Sequence, residues 1–328
     1  MDSRQTPFPV DPATRAAFMR ATADAIPAAA LRALATSAKT GDGDAAISLA
    51  AGLAHAAFTA PEKIAAFYDE AAAGWLGKAV GAAAIPAGNR PGEALGDAFW
   101  DVFWPLLADS ARGIGAGDIT ARTAGLAGLL SPGFQTRAIA AALAYPGVAQ
   151  AAAGGFPARI RLEDLAAAPA GSLGHEFYHL LVDNNFDIEV LDRDALNLRA
   201  LPPPLDYVNA RMLQTHDLWH ITAGYETTKL HETALSAFQL AQFGHNYSAM
   251  FLALVAASVA LLAPAGTILL LESIFTAWVH GRETPPMLLI PWETAWALPT
   301  AEIRAAYRIT PYARPYPANI IELFEAAA

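Results

Sequence analysis

An all-α fold is predicted by three features of this 328-residue chain. Hydrophobic residues make up 54 % and charged residues only 16 %. Alanine runs recur throughout, and alanine carries the lowest cost of entering a helix. Apolar positions such as Ile64, Phe67, Tyr68, Trp75 and Leu76 fall at helical spacing. The length suffices for one large or two modest domains with a sizeable core, so stability by itself requires no metal.

Pro12 to about Val80 reads as helices interrupted at Pro27, at the Thr40–Asp44 turn (TGDGD) and at Pro61, with no catalytic pattern. The Pro/Gly-rich stretch Ile85–Gly96 (IPAGNRPGEALG) is the expected linker. It separates an N-terminal helical region, 1–94, from a helical domain, 95–328. Helices follow around Phe99, Trp100, Phe103 and Trp104, then Leu126, Leu129 and Leu130. The aromatic cluster reads as core, because any amphipathic helix shows such spacing. A second break falls at Gly154, Gly155 and Pro157.

Ala249–Leu271 is long enough to span a bilayer, for which about 20 apolar residues suffice. Pro264 and Gly266 interrupt it, however, and neither flank clusters Lys or Arg. A pair of buried helices, or the wall of a lipid-binding cavity, is expected instead. Proline-punctuated Ala313–Ala318 should lie extended over the surface.

The net charge of −10 and the lack of any Lys/Arg-rich stretch argue against nucleic acid as a partner. With no cysteine, only histidines and carboxylates remain as metal ligands. The start, MDSRQTPFPVDPATR, lacks a basic region followed by an apolar core, so no secretory leader and a cytoplasmic location are expected.

Two strings carry metal-ligand spacing. His175, Glu176 and His179 form H-E-x-x-H, which on a helix sets two imidazoles one turn apart, as in zinc peptidases. The extended form of that motif needs Gly and His where this chain has Val182 and Asn185. Glu189 follows closely for a third ligand, and Leu180, Leu181 and Val182 suggest a helix that simply packs.

The second string is His216-Asp217-Leu218-Trp219-His220, followed by Glu232. His216, Asp217 and His220 can converge on one ion. Along a straight helix Glu232 would lie roughly 18 Å beyond His220, so the chain must turn back. Gly224 can end the first helix left-handed, and Thr227 or Thr228 can cap the next. The expected architecture is therefore a helical bundle-like fold with the metal site on an antiparallel helix pair. Histidines bonded to Asp217 and Glu232 without any ion are the plain alternative. His231 should face solvent or contact a ligand from outside.

His216 to Glu232 closely resembles the H-D-x-x-H-x(11)-E signature of the ubiquinone (coenzyme Q) biosynthesis protein 4 family. Gly171-Ser172-Leu173-Gly174 with Phe177 and Tyr178 is similar to that family's Gly-rich helix start, and Trp292-Glu293 to its C-terminal W-E element. The likeness covers about 160–309. Gln214-Thr215 replaces the Arg-Glu pair usual before H-D, and His231 the glycine frequent before the last Glu.

The resemblance implies a mostly helical protein of ubiquinone biosynthesis in which His216, Asp217, His220 and Glu232 hold a divalent ion. Zn2+ is the first choice, with iron or manganese as alternatives. It implies decarboxylation of a polyprenyl hydroxybenzoate at the ring carbon bearing the carboxylate, simple or coupled to hydroxylation. A non-catalytic prenyl-lipid-binding scaffold of a quinone biosynthesis complex is the second reading, and a peptidase at His175, Glu176 and His179 a distant third. Phe251, Leu252, Val255 and Leu262 are the candidate lipid-tail groove, where each buried CH2 is worth about 0.8 kcal/mol. Expected partners are a prenylated aromatic molecule and other quinone biosynthesis proteins. Contact with the inner membrane face would be peripheral, and a homodimer is compatible with the sequence.

Overall fold

The computed structural model describes residues 9–113, 115–189 and 191–327. The leader reading rests partly on residues 1–8, which lie outside the described residues.

Among the described residues the regular elements are all helical. In chain order they are α1 (Pro12–Ala23), α2 (Ala28–Lys39), α3 (Gly43–Phe58), α4 (Ile64–Leu76), α5 (Asp97–Ala111) and α6 (Ala116–Leu126). There follow α7 (Phe134–Leu143), α8 (Val148–Ala152), α9 (Leu162–Ala166), α10 (Leu173–Asn184), α11 (Leu205–Ala223) and α12 (Lys229–Phe243). The last are α13 (Asn246–Leu262), α14 (Thr267–Glu283), α15 (Thr300–Tyr307) and α16 (Ile320–Ala327). The chain forms two compact units, interleaved in sequence. One takes the described residues up to Ala79 with Pro86–Arg137 and Asn246–Phe275; the other takes Val80–Ile85, Ala138–His245 and the described residues from Thr276 onward.

In the first unit, the sequence punctuation becomes caps. Asp11 accepts from the amides of Ala13 and Thr14 at 2.9 and 3.0 Å with Pro12 opening α1, and Asp42 accepts from Ala45 at 3.1 Å at the start of α3. Each satisfies amides a helix start leaves free. Phe18, Phe58, Phe99, Trp100, Phe103 and Trp104 pack with ring centroids 4.9 to 6.5 Å apart. All are buried, so the aromatic cluster is core, as expected. Of the aliphatic positions that follow, Leu126 is buried but Leu129 is exposed.

The apolar segment is a pair of helices. Pro264 opens a 3-10 turn that divides α13 from α14, and no described helix is long and apolar enough to cross a membrane. In this unit α13 packs on α3, α5 and α6. Leu252 is fully buried, whereas Phe251, Val255 and Leu262 are half-buried. The 85–96 stretch has no helix. Its latter part is nevertheless fixed, because Glu93 N donates to Thr59 O at 3.1 Å and Glu93 pairs with Arg137 at 3.3 Å.

In the second unit, residues 154–157 break the helices as expected, and 313–317 run without helix. Buried Gln242 on α12 donates to the carbonyls of Gly281 and Thr284 at 2.7 and 3.0 Å and accepts from Met287 N at 2.9 Å. Gly281 lets α14 approach α12: a Cβ there would lie 2.7 Å from both Ala241 Cβ and Phe238 O. Gly281→Val should lower the urea midpoint of unfolding, equivalent to about 1–3 kcal/mol, because backbone on one side cannot yield as a flexible side chain would.

Candidate metal centre

The centre is built where α11 turns into α12. Gly224 ends α11 at φ 79°, and its amide donates to His220 O at 3.1 Å. A side chain is excluded there twice, by the left-handed backbone and by Pro311 Cβ, 2.9 Å from where a Cβ would sit. The expected left-handed stop is thus present.

The start of α12 differs from expectation. Thr228 occupies the N-cap position, but its hydroxyl donates to Ala318 O at 2.7 Å and caps nothing. The free amide of Lys229 is taken at 3.0 Å by Glu322 of α16. A carboxylate from a distant part of the chain therefore does the work expected of a local threonine. His231 is buried instead of facing solvent, and its Nδ1 accepts from Glu226 N at 2.8 Å. It pins the connecting turn from within.

This turn brings Glu232 back to α11. Glu232 Oε2 lies 3.1 Å from His216 Nε2, and Oε1 lies 3.3 Å from His220 Nε2. The two imidazole centroids are 5.1 Å apart at 78°. His216, Asp217 and His220 each offer a ligand atom within 4.8 Å of the others. Glu232 stands against both imidazoles from the facing helix and is the most exposed of the four, at 43 % of its side-chain surface.

Burial sets the electrostatics. For His216, burial disfavours the imidazolium, but hydrogen bonding and charge from Glu232, then charge from Asp217, outweigh it and raise the pKa. Burial likewise pushes Glu232 up, and contacts with His216 and His220 overcome it and hold the carboxylate well below its usual range. Asp217 is raised by burial, against the pull of the two histidines. Buried His245 is lowered to about 3, by burial first and His216 second. Its Nε2 lies 3.2 Å from Asn209 Oδ1.

These residues fit a divalent cation. Both ring nitrogens of His220 are buried without a hydrogen-bond partner; the 3.3 Å approach of Glu232 is an ion-pair distance without hydrogen-bond geometry. Asp217, with 12 % of its side chain exposed, has the His216 ring at 4.0 Å, an ion-pair distance beyond hydrogen-bond reach. Such groups are costly to bury unpaired, and two imidazoles with two carboxylates are a donor set that zinc and its neighbours take.

The other histidine motif is arranged differently. His175 and His179 lie on α10 with centroids 4.5 Å apart, and His179 Nδ1 is 3.3 Å from Asp183. Glu176 accepts from the Thr300 hydroxyl at 2.7 Å. Among the described residues this pair joins no group of three metal-ligating side chains.

Two further elements support the site's framework. Ser172 caps α10, and the amides of Leu173 and Gly174 donate to Leu298 O and Trp296 O at 2.8 and 2.9 Å. Trp292 is fully buried, and Glu293 pairs with both terminal nitrogens of buried Arg211 on α11. Arg211 also donates to Gln214 Oε1 at 3.1 Å. Sequence reasoning missed Gln239, whose Nε2 lies 3.0 Å from His216 Nδ1. Its signal was its place seven residues after Glu232, two turns along the same face.

Residues 157–313 match the family described as Coenzyme Q (ubiquinone) biosynthesis protein Coq4. The ubiquinone biosynthesis protein COQ4 homolog, mitochondrial, of Rattus norvegicus is 30 % identical over 150 residues, 46 % of this chain and 55 % of the relative. The corresponding Mus musculus protein is 29 % identical, over 46 % of this chain and 54 % of its own length. The chain thus spans about half the length of the curated relatives it matches. A crystal structure of a candidate ubiquinone biosynthesis protein from Nostoc punctiforme covers 65 % of this chain and 98 % of its own, at 24 % identity and a TM-score of 0.49.

The Arg211–Glu293 pair yields a pH prediction. Burial raises the Glu293 pKa, but hydrogen bonding and charge from Arg211 outweigh it, and the net shift is downward. A depressed carboxylate contributes stability present above its unfolded pKa of about 4.3 and lost as pH falls through the folded value. Melting temperatures taken from pH 6 down to pH 3 should therefore fall more steeply for the unchanged protein than for Glu293→Gln. Glu293 is half exposed, so the difference should be small.

Proposed function

We propose, from the premise that residues 157–313 are a Coq4-family segment, that this protein acts in ubiquinone biosynthesis and removes the carboxyl group of a polyprenyl hydroxybenzoate. The observation that carries the reading is the meeting of His216, Asp217 and His220 from α11 with Glu232 from α12. His216, Asp217, His220 and Glu232 would hold a divalent cation, Zn2+ first and iron or manganese through the same donors. When bound, the cation would supply Lewis-acid stabilisation of charge developing on the aromatic head group as carbon dioxide leaves.

The residues themselves supply position and environment. Buried Trp219 and Leu218 form the dry side of α11, while Glu232, the most exposed ligand, marks the side on which a head group can approach. The carbon–carboxyl bond breaks with its electron pair left on the ring, and a proton replaces carbon dioxide there. In the first unit, the candidate tail-binding residues Phe251, Val255 and Leu262 are half-buried, and Leu252, fully buried, serves as core. Other quinone biosynthesis proteins, peripheral membrane contact and self-association belong to the same proposal.

One observation favours the non-catalytic scaffold: Glu232 already engages both imidazoles and so ties α11 to α12 by itself. Metal analysis, lipid extraction and carbon dioxide release from a prenyl hydroxybenzoate separate the two readings. The purified protein should contain about one divalent ion per chain and release carbon dioxide. His220→Ala and Glu232→Ala should lose the ion and at least about 100-fold in turnover. Full activity in a metal-free Glu232→Ala protein would defeat the proposal; bound prenyl lipid without carbon dioxide release would favour the scaffold.

A further inference from the structure

We infer that Gln239 is a positioning residue of the metal centre, gripping the outer edge of the His216 ring so that Nε2 is the nitrogen presented toward His220 and Glu232. The inference rests on the metal reading above and names a residue that reading does not use.

Gln239 is 2 % exposed, on the same face of α12 as Glu232. Its amide nitrogen lies 3.0 Å from His216 Nδ1, while Glu232 Oε2 lies 3.1 Å from Nε2 on the opposite edge. One helix thus holds both nitrogens of a ring that belongs to the other. An imidazole held at one edge can still swing about its Cβ–Cγ bond, whose rotation is broad. Held at both, it keeps one orientation. Among the described residues the Gln239 side chain makes this one hydrogen bond, so the buried amide is turned to this imidazole.

The chemistry of the amide suits the two states the site must visit. With the amide N–H donating to Nδ1, the ring proton is on Nε2 and points to Glu232, the arrangement suited to a site without a cation. A neutral histidine that ligates through Nε2 carries its proton on Nδ1, and a partner fixing that proton sets the tautomer. A half-turn of the terminal amide then presents Oε1 as acceptor with the other heavy atoms in place. Glutamine serves both tautomers; glutamate would serve only the ligating one, and leucine neither.

The test uses the full chain labelled with 15N at histidine, as the unchanged protein, Gln239→Leu and Gln239→Glu. Zinc affinity is read by competition with a chromophoric chelator, and the His216 ring resonances are read with and without zinc. Gln239→Leu should bind zinc about 10- to 100-fold more weakly, and Gln239→Glu should restore binding. In zinc-free protein the Nδ1 resonance should move in Gln239→Leu. If that variant fails to fold by circular dichroism, Gln239→Asn, one methylene shorter, replaces it in the same comparisons. Equal affinity in the unchanged and leucine proteins overturns this inference alone. So does weaker binding with an unmoved Nδ1 resonance, which assigns the loss to packing. No zinc binding by the unchanged protein overturns the metal reading and this inference with it.

Discussion

The reversal of the chain at Gly224 is the constraint on which the candidate centre depends. Three of its residues, His216, Asp217 and His220, lie close together on α11, but a continuous helix would carry Glu232 roughly 18 Å past His220. The left-handed Gly224, packed against Pro311, ends one helix, and Pro311 leaves no room for a side chain that could alter the turn. Buried His231 then holds the returning strand of chain through the Glu226 amide. The geometry between Glu232 and the two imidazoles follows from these contacts.

Burial gives that geometry its chemical weight. In water, two histidines and two carboxylates would titrate independently. Here, desolvation opposes charge on His216, Asp217 and Glu232 alike, and mutual contacts decide the outcome differently for each. Glu232 stays anionic because it faces both rings, whereas burial pushes Asp217 up. A group of this kind is half-compensated by its own members, with unpaired ring nitrogens on His220 that a cation would satisfy.

The surrounding framework is assembled from parts far apart in sequence. Arg211, one turn before the ligands, is tied to Glu293 beside buried Trp292. The start of α10 docks through Gly174 on Trp296, where any Cβ would collide with the Ala168 and Trp296 side chains. The first turn of α12 is capped by Glu322 from the last described helix. The residues of the W-E element and the Gly-rich helix start, which resemble family features, are thus structural neighbours of the ligand helix or of each other.

Helical class, the aromatic core around Phe99 to Trp104, the broken apolar pair and the grouping of His216, Asp217 and His220 with Glu232 were all legible in the sequence. Each depends on local spacing or on a residue type with a fixed backbone preference, such as Gly224 or Pro264. The roles of Thr228, His231, Glu322 and Gln239 were not legible. Thr228 was the reasonable cap, yet Ala318 claimed its hydroxyl and Glu322 supplied the carboxylate, 93 residues from Lys229 along the chain. Gln239 stood at a spacing that put it on the face of Glu232, but nothing in a linear string marks a buried amide as the partner of one imidazole. Sequence alone determined which residues could ligate and where the chain could turn, since both are properties of side chains and backbone within a few residues. Tertiary structure alone decided which polar groups meet, because hydrogen bonds between distant residues exist only once packing has removed the water that would otherwise satisfy them.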